Sequence, residues 1–262
     1  MKKYILDLNV REATMVHERY VLLRLSDFGR PLPPMRPGQF VEVRIDGATS
    51  TFLRRPISIC FVDNRVHELW LLVAAVGEGT RWLTTLQPGD RLNCVLPLGN
   101  GFTVSDEQTQ VSARSVLLVG GGVGVAPLLY LGATLREHGV EPTFLLGARK
   151  SHDLLLTDEF RRYGRVLITT EDGSEGERGF VTNHSVLQDG HFSTIYTCGP
   201  TPMMKAVARY AHEKGICCEA SLENMMACGL GACLCCVEKT HRGNLCVCKD
   251  GPVFDIKDLL WG

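Results

Sequence analysis

The chain has 262 residues, of which 45% are hydrophobic and 22% charged, and its formal net charge is −1. That length allows one large domain, or two medium domains with a further module. The charge balance gives no basic excess that would indicate a nucleic acid partner, and no block of like charge indicates a disordered tail.

Residues 1–103 alternate between apolar and polar positions, in runs such as YVLLRL, QFVEVRI and HELWLLVAAV. Turn signals separate the runs, so we predict short strands that form a small antiparallel barrel, with one short helix at TRWLTTL. The first run, MKKYILDLNV, alternates like a strand and lacks the apolar core of a signal peptide. It therefore predicts a cytoplasmic protein.

Residues 104–218 have a different rhythm, in which strands alternate with helices. The predicted strands are SVLLVGGG, PTFLLGA, RVLITT and STIYTCGP, and the predicted helices are APLLYLGATLREHG, DLLLTDEFRRYG and TPMMKAVARYAHEKG. This alternation predicts a doubly wound α/β domain with a parallel sheet. Such sheets bind ligands at the carboxyl ends of their strands.

One segment of this region has the length of a membrane span. No charged residue occurs between Ser115 and Leu135, and a stretch of that length can cross a bilayer as a helix. Consecutive glycines and Pro127 interrupt it, however. We therefore predict a buried strand, a glycine turn and a helix, and no membrane association.

Two short motifs in the predicted barrel are suited to a phosphate group. In RRPISI, Arg55 offers a fixed fork of donors that matches phosphate oxygens, and Pro56 stiffens its strand. In GEGT, Gly79 and Thr80 open the predicted helix, where free N–H groups and a hydroxyl can face an anion. The alternatives are a surface arginine and a plain turn with Thr80 as the N-cap. Both motifs in one barrel favour a clamp for a dinucleotide.

The segment VLLVGGGVGVAP places four glycines between a strand and a helix, at Gly120, Gly121, Gly122 and Gly124. Because these positions have no side chains, a pyrophosphate can approach the N–H groups at the helix start. The spacing departs from G-x-G-x-x-G, and no clear acidic residue follows about twenty positions later. A tight packing turn is therefore the alternative to a nucleotide site.

Residues 219–262 are predicted to form a metal-cluster module. The candidate ligands are Cys228, Cys233, Cys236 and Cys248. The first three have the C-x4-C-x2-C spacing of plant-type [2Fe–2S] sites. A zinc site more typically uses two C-x2-C pairs, and ordinary core cysteines are the third possibility. Spacing alone leaves Cys246 as an alternative to Cys248, and Cys235 stands directly beside a candidate ligand.

The other cysteines are predicted to fill core volume. Cys60, Cys94 and Cys198 occur in apolar or structured surroundings, and free cysteine behaves as a small hydrophobe. Cys217 and Cys218 alternate faces in a predicted strand, so at least one should be buried. In a reducing cytosol we expect no disulfides.

The order of these motifs resembles the ferredoxin reductase superfamily: a barrel with RRPIS and GEGT, an α/β domain with GGGVGVAP and CGPTPMM, then a cysteine tail. The tail, MMACGLGACLCCV followed by VCKDGPVF, is similar to that of the electron-transfer subunits of NAD-dependent, type B dihydroorotate dehydrogenases. The resemblance runs from the first strand to GPVF. It implies a multi-domain α and β fold with an FAD-binding barrel, an NAD-binding α/β domain and a [2Fe–2S] module.

The resemblance also implies which residues hold the cofactors. Non-covalent FAD would contact Arg55, Pro56, Ile57, Ser58, Leu72, Val73, Ala74, Gly79 and Thr80. The further cofactor-binding positions are Gly120, Gly121, Gly122, Gly124, Cys198 and Gly199. The cluster ligands fall on Cys228, Cys233, Cys236 and Cys248, because the last of these precedes KDGPVF. The family usually has glycine between its second and third ligands, whereas this chain has Cys235 in a neighbouring slot.

The same resemblance implies an electron relay. A separate FMN-containing subunit would oxidise dihydroorotate to orotate, and single electrons would pass through the cluster to FAD, which reduces NAD⁺. The flavin converts between one-electron and two-electron transfer. No residue here has the character of a base for dihydroorotate oxidation, so the chain alone should reduce dyes with NADH but leave dihydroorotate unchanged. The family implies a heterotetramer with two copies of each subunit.

The stretch TTEDGSEG, which follows the third α/β strand, bears on the choice of nicotinamide. Glu171 or Asp172 would repel a 2′-phosphate and accept a hydrogen bond from a ribose hydroxyl, which favours NAD. Arg149 lies nearby, so NADP remains an alternative. Two other functions are alternatives: a flavin and iron–sulfur subunit of a sulfide dehydrogenase or ferredoxin:NADP transhydrogenase, and a zinc-stabilised nucleotide-binding scaffold without a redox role.

Overall fold

A computed structural model describes residues 2–48, 50–104 and 115–261. The N-terminal strands close into an antiparallel barrel with the order β1-β2-β5-β4-β3-β6, as predicted. The elements of the barrel are β1 (Tyr4–His17), β2 (Tyr20–Ser26), β3 (Phe40–Val43), β4 (Arg55–Asp63), β5 (Glu68–Ala74), α1 (Glu78–Leu83) and β6 (Arg91–Leu98). Most of the polar stretch that follows, TVSDEQTQVSAR, lies outside the described residues.

Several barrel strands are buried on both faces. In β2, Val21, Leu23 and Leu25 point into the barrel core, as the two-residue period requires. Leu22 points outward and packs in a second core, which includes Leu128 of the α/β domain. The barrel and the α/β domain are therefore joined by a shared apolar core.

The α/β domain has a parallel sheet with the strand order β10-β9-β8-β7-β11-β12, as the alternation predicted. Its strands are β7 (Val116–Gly121), β8 (Thr143–Ala148), β9 (Arg165–Thr170), β10 (Glu177–Arg178), β11 (Thr194–Cys198) and β12 (Cys217–Ser221). Its helices are α2 (Ala126–Glu137), α3 (Thr157–Arg161), α4 (Val186–Asp189) and α5 (Thr201–Lys214).

One helix is shorter than the sequence predicts. The run DLLLTDEFRRYG gives only α3, preceded by a 3-10 turn at Ser151–Asp153. Leu156 precedes α3 with a φ of 55°, in the left-handed region, so a continuous helix cannot pass through it. The apolar run is therefore divided between a loop and a short helix.

The uncharged segment from Ser115 to Leu135 forms β7, a 3-10 turn at Gly122–Val125, and most of α2. This confirms the predicted strand, turn and helix. Within the described residues, no helix has both the length and the apolar character needed to cross a membrane.

The cysteine tail is attached to the edge of the parallel sheet. Its strands are β13 (Val237–Thr240), β14 (Gly243–Cys246) and β15 (Val253–Asp255). β13 and β14 form a hairpin, and β15 pairs antiparallel with β12. The predicted boundary between residues 218 and 219 therefore falls inside β12. A separate core, which includes Phe254, Leu259 and Cys236, packs the tail against both other parts.

Candidate cofactor sites

A cavity of about 370 Å³ lies where the barrel, the glycine turn and the start of the tail meet. Its lining includes six of the residues predicted to bind FAD: Pro56, Ile57, Ser58, Leu72, Ala74 and Thr80. Val73, between two of them, is 1% exposed and packs in the barrel core. Its side chain therefore faces away from the cavity, and only its backbone can contribute there.

The arginine and the helix start predicted as a phosphate clamp lie side by side. Gly79 is in the first turn of α1, and a Cβ atom built on it would lie 3.4 Å from Nε of Arg55. The Arg55 guanidinium donates to the carbonyl oxygens of Leu53 (2.9 Å) and Arg54 (3.2 Å), which fixes its direction. A cationic fork and a helix start are thus brought to one place, as a diphosphate site requires.

The hydroxyl of Thr80 is hydrogen-bonded within the loop that precedes α1. Gly77, not Thr80, is the N-cap of α1. The Thr80 hydroxyl accepts hydrogen bonds from the N–H groups of Val76 (3.0 Å) and Gly77 (2.9 Å) and donates to the Gly77 carbonyl (3.1 Å). Because these bonds occupy it, Thr80 holds the loop before α1 and lines the cavity without a free hydroxyl for an anion.

The four glycines at the end of β7 and in the turn that follows it differ in their surroundings. A Cβ atom on Gly124 would lie 2.4 Å from Cα of Gly199, so two backbone turns touch there. On Gly120 it would lie 2.8 Å from Leu128, and on Gly121 it would lie 2.9 Å from the sulfur of Met203. Gly124 is therefore required by packing against backbone, whereas a side chain at Gly120 or Gly121 would first meet the ends of flexible side chains. Gly122 has a φ of 55°, and no atom of the described residues lies within 4 Å of the same position, so it faces open space.

The carboxyl ends of β7, β11 and β12 are aligned next to this turn. Cys198 pairs with Gly120 on one side and with Ser221 on the other. Cys198 is buried, as predicted, and burial together with the nearby Glu223 carboxylate raises the pKa of its thiol. β12 leads directly from Ser221 into the wall of the cavity.

The predicted acidic pair follows β9, two strands away from β7, a separation of about 10 Å. Glu171 and Asp172 are both exposed. Asp172 accepts hydrogen bonds from the Ser174 hydroxyl (2.6 Å) and N–H (3.0 Å), which lower the pKa of its carboxyl. The Ser174 hydroxyl in turn accepts from the N–H of Ser151, which follows β8. The carboxylate therefore stays ionised in a defined position at the strand ends.

The four predicted cluster ligands form two pairs of neighbouring thiols. Cys233 lies close enough to affect the pKa of Cys228, and Cys236 lies close enough to affect the pKa of Cys248. In a [2Fe–2S] centre each iron takes two protein ligands, so a two-plus-two arrangement fits that group. Among the described residues, no three His, Cys, Asp or Glu side chains are placed to hold a single metal ion.

Backbone N–H groups also point at these sulfur atoms. Sγ of Cys228 accepts from Leu230 (3.3 Å), and Sγ of Cys248 accepts from Gly231 (3.1 Å). Sγ of Cys236 accepts from the N–H of Cys248 (3.4 Å). The main-chain N–H of Cys246, by contrast, donates to the carboxylate of Asp250 (2.7 Å). The loop is therefore shaped around three of the four predicted sulfur ligands.

The electrostatics of the two pairs differ. Burial acts to raise the pKa of Cys228, but hydrogen bonds from the N–H groups of Leu230, Cys233 and Ala232 outweigh it and lower the pKa to about 6. Burial, with the hydrogen bond to Cys236, raises the pKa of Cys248 to about 12. Binding of a cluster must therefore release the proton of Cys248.

The remaining cysteines agree with the sequence analysis. Cys60 and Cys94 are fully buried, Cys217 is exposed and Cys218 is buried. All eleven cysteines are free thiols. Cys235 is exposed.

Sequence reasoning missed the residues that connect the cavity with the tail. Phe40 of β3 and Leu222, Glu223 and Met226 after β12 line the cavity. Phe40 and Met226 also belong to the core that contains Cys236 and Cys248. Burial raises the pKa of Glu223. The only sequence signal for these connecting residues was the position of Met226, two residues before Cys228. The role of Phe40 depends on a long-range contact and has no local signal.

Comparisons with known proteins agree with this geometry. Residues 223–260 match the "Iron-sulfur cluster binding domain of dihydroorotate dehydrogenase B", and residues 118–209 match the "Oxidoreductase NAD-binding domain". The chain is 37% identical over 256 residues to the "Dihydroorotate dehydrogenase B (NAD(+)), electron transfer subunit" of Shouchella clausii, with 96% of each chain covered. The chain belongs to this family.

The same subunit of Bacillus velezensis is 40% identical over 227 residues, covering 85% of this chain and 86% of that protein. Among solved structures, an NADH-dependent reduced ferredoxin-NADP oxidoreductase, described in a study of flavin-based electron bifurcation, has a TM-score of 0.85 and 29% identity. It covers 98% of this chain and 90% of that one. Phthalate dioxygenase reductase, with a TM-score of 0.62 and 22% identity over 79% of this chain and 64% of that one, shares the fold.

Proposed function

We propose that this chain is an electron relay between NAD and a separate catalytic subunit that oxidises dihydroorotate. The observation that carries the proposal is the shared wall between the two candidate sites. Phe40 and Met226 line the cavity and also pack in the core around the cluster cysteines. The two candidate sites therefore share side chains between them.

The cavity suits the ring of FAD, and the Arg55 and Gly79 region suits its diphosphate. The apolar lining removes water from a flavin ring, while Ser58 and Glu223 supply polar groups on the wall. When bound, FAD exchanges single electrons with an iron–sulfur centre and an electron pair with NAD. The protein's own contribution is to bind, orient and desolvate the ring. The proposed units are residues 1–103 for FAD, 104–218 for NAD and 219–262 for the cluster.

The strand ends of the α/β domain are proposed to hold NAD. Gly122 leaves open space beside the helix start, where a pyrophosphate can approach the backbone. Asp172 is proposed to accept hydrogen bonds from the ribose hydroxyls and to repel a 2′-phosphate. The NAD(+) in the names of the related subunits supports this choice.

Four thiols are proposed to hold the [2Fe–2S] cluster: Cys228, Cys233, Cys236 and Cys248. The N–H groups directed at the sulfur atoms of Cys228, Cys236 and Cys248 support this set. Cys246 is proposed as a support of the loop, because its N–H is tied to Asp250.

The catalytic partner is proposed to be an FMN-containing subunit that docks over the cluster, in a heterotetramer with two copies of each chain. Cys233 is exposed, and two exposed apolar side chains lie near it in sequence: Leu230 (46%) and Leu234 (63%). Exposed apolar residues of this kind are typical of protein interfaces. A partner seated there would approach the cluster closely.

The proposal is tested by expressing the chain with and without an FMN-containing dihydroorotate dehydrogenase subunit. The chain alone should show flavin and iron–sulfur absorption and NADH-dependent dye reduction, and should not oxidise dihydroorotate. The co-purified pair should reduce NAD⁺ with dihydroorotate. A colourless, zinc-containing protein, or oxidation of dihydroorotate by the chain alone, would contradict the proposal.

A second candidate function is transfer between reduced ferredoxin and NADP. The similarity to the NADH-dependent reduced ferredoxin-NADP oxidoreductase favours it. Reduced ferredoxin offered to the purified chain with NADP⁺ distinguishes the two: formation of NADPH at a rate above that of the dihydroorotate-driven reaction would favour this alternative.

A further inference from the structure

Glu42 is a buried acid on the outer face of the barrel. In β3, Val41 and Val43 point into the barrel core. Phe40 and Glu42 therefore share the opposite face, because successive side chains alternate across a strand. That face is turned towards the tail, and Glu42 is only 1% exposed. Fully buried glutamates are rare unless they are paired.

The carboxyl group of Glu42 has no hydrogen-bond partner among the described residues. Both of its oxygen atoms are buried and unpaired within the part of the chain that the structure describes. Arg54 lies close by, but its guanidinium donates to the backbone carbonyls of Glu42 (3.2 Å) and Asn93 (3.1 Å) and to the Asn93 side chain (2.5 Å). Arg54 therefore neutralises part of the charge without a direct bond to the carboxylate.

The side chain of Glu42 packs against the loop between the first two proposed cluster ligands. A Cβ atom on Gly229 would lie 2.7 Å from Cγ and 3.0 Å from Oε1 of Glu42. Gly229 has a φ of 64°, in the left-handed region where glycine is preferred. Both its conformation and the lack of a side chain are thus needed for the loop to rest on Glu42, next to Cys228.

We propose that the ionised carboxylate of Glu42 acts on the [2Fe–2S] cluster through its charge and lowers the reduction potential of that cluster. This inference rests on the proposed cluster. Net charge and burial around an iron–sulfur cluster are among the factors that set its potential. Adding one electron makes the cluster one unit more negative without breaking a bond, so a buried negative group beside it disfavours the reduced form.

The charged groups that face Glu42 support this role. Burial raises the pKa of Glu42 to about 7, Cys228 adds to the rise, and Arg54 and Arg55 oppose it, so the carboxylate form predominates only above neutral pH. A carboxylate that is buried away from water interacts more strongly with a nearby charge than an exposed carboxylate does. Phe40, on the same face of β3, lines the cavity. One short strand therefore contacts both proposed redox sites.

The test is a redox titration of the cluster in protein that contains both cofactors, with electron paramagnetic resonance as the readout. It is carried out at about pH 9, which is above the ordinary pKa range of a glutamate. Dithionite supplies the electron. Glu42→Gln keeps the shape and removes the charge, so the potential should rise by about 59 mV or more, a tenfold change in a one-electron equilibrium. The matched control is Asp46→Asn, because Asp46 is an exposed acid that is paired with Arg44 and lies four residues after Glu42. It should leave the potential unchanged.

Glu42→Met is the second variant, since it also removes the charge but fills the apolar space. It should shift the potential in the same direction. An unchanged potential in either variant with full iron and sulfide content would overturn the proposal, and so would loss of the cluster from both variants while Asp46→Asn retains it. Iron and sulfide analysis of the unmodified protein comes first: their absence there would contradict the proposed function itself rather than the role of Glu42.

Discussion

Replacing Gly124 by alanine should destabilise the fold, whereas the same change at Gly122 should mainly weaken NAD binding. At Gly124 a Cβ atom would lie 2.4 Å from Cα and 2.5 Å from N of Gly199, and 2.7 Å from the carbonyl carbon of Cys198. Carbon atoms prefer a separation of about 3.5–4.0 Å. The obstructing atoms are backbone, so the end of β11 must move by roughly 1 Å, and no side-chain rotation relieves the contact.

Overpacking of this kind costs about 1–3 kcal/mol, and we expect a value near the upper limit because the neighbours are rigid. For a domain of this size, that cost lowers the unfolding temperature by about 6–12 °C. At Gly122 nothing lies within 4 Å, so the cost is limited to the left-handed backbone, about 1 kcal/mol. The added methyl group would instead occupy the space proposed for the nucleotide, and the KM for NADH should rise about tenfold, or 1.4 kcal/mol.

Urea unfolding, followed by far-UV circular dichroism, measures the first effect, and NADH-dependent dye reduction measures the second. The two variants are matched controls for each other, because they differ by two positions in one turn. The reasoning would be refuted if Gly124→Ala unfolded at the urea concentration of the unmodified protein, or if Gly122→Ala lost more stability than Gly124→Ala while binding NADH normally.

Three further predictions concern the sites. Cys233→Ser should lose the cluster and Cys235→Ser should retain it, as judged by iron and acid-labile sulfide; equal retention would contradict the ligand set. Asp172→Ala should raise the KM for NADH about tenfold, because a hydrogen bond to a charged group contributes about 1.5–3 kcal/mol. The same change should lower the KM for NADPH. An unchanged ratio of the two KM values would show that Asp172 does not face the ribose. In cluster-free protein, the alkylation rate of Cys228 should rise as the pH passes about 6, since its pKa is lowered and the thiolate persists above that value. Cys248, with a pKa of about 12, should react only at much higher pH. Peptide mass mapping after alkylation at neutral pH measures this difference, and equal reaction of both thiols would contradict it.

Much of the fold could be predicted because it depends on local periodicity. The two-residue period of the first strands and the alternation of strands with helices are properties of adjacent residues, and both were confirmed. The shortened α3 was missed because Leu156 adopts a left-handed conformation, which tertiary packing imposes and which its residue type does not indicate.

The sequence by itself determined the set of chemical groups: the cysteine spacing, the Arg55 fork, the glycine turn and the acidic pair after β9. These are recognisable because a cluster or a phosphate requires particular residue types at short separations along the chain. The roles of Phe40, Glu42 and Met226 were decided by the tertiary structure alone, since each depends on contact between residues far apart in sequence. The same holds for two glycines of the turn. Gly122 and Gly124 are the same residue type, and only the backbone that folds against Gly124 distinguishes this packing position from the proposed binding position at Gly122.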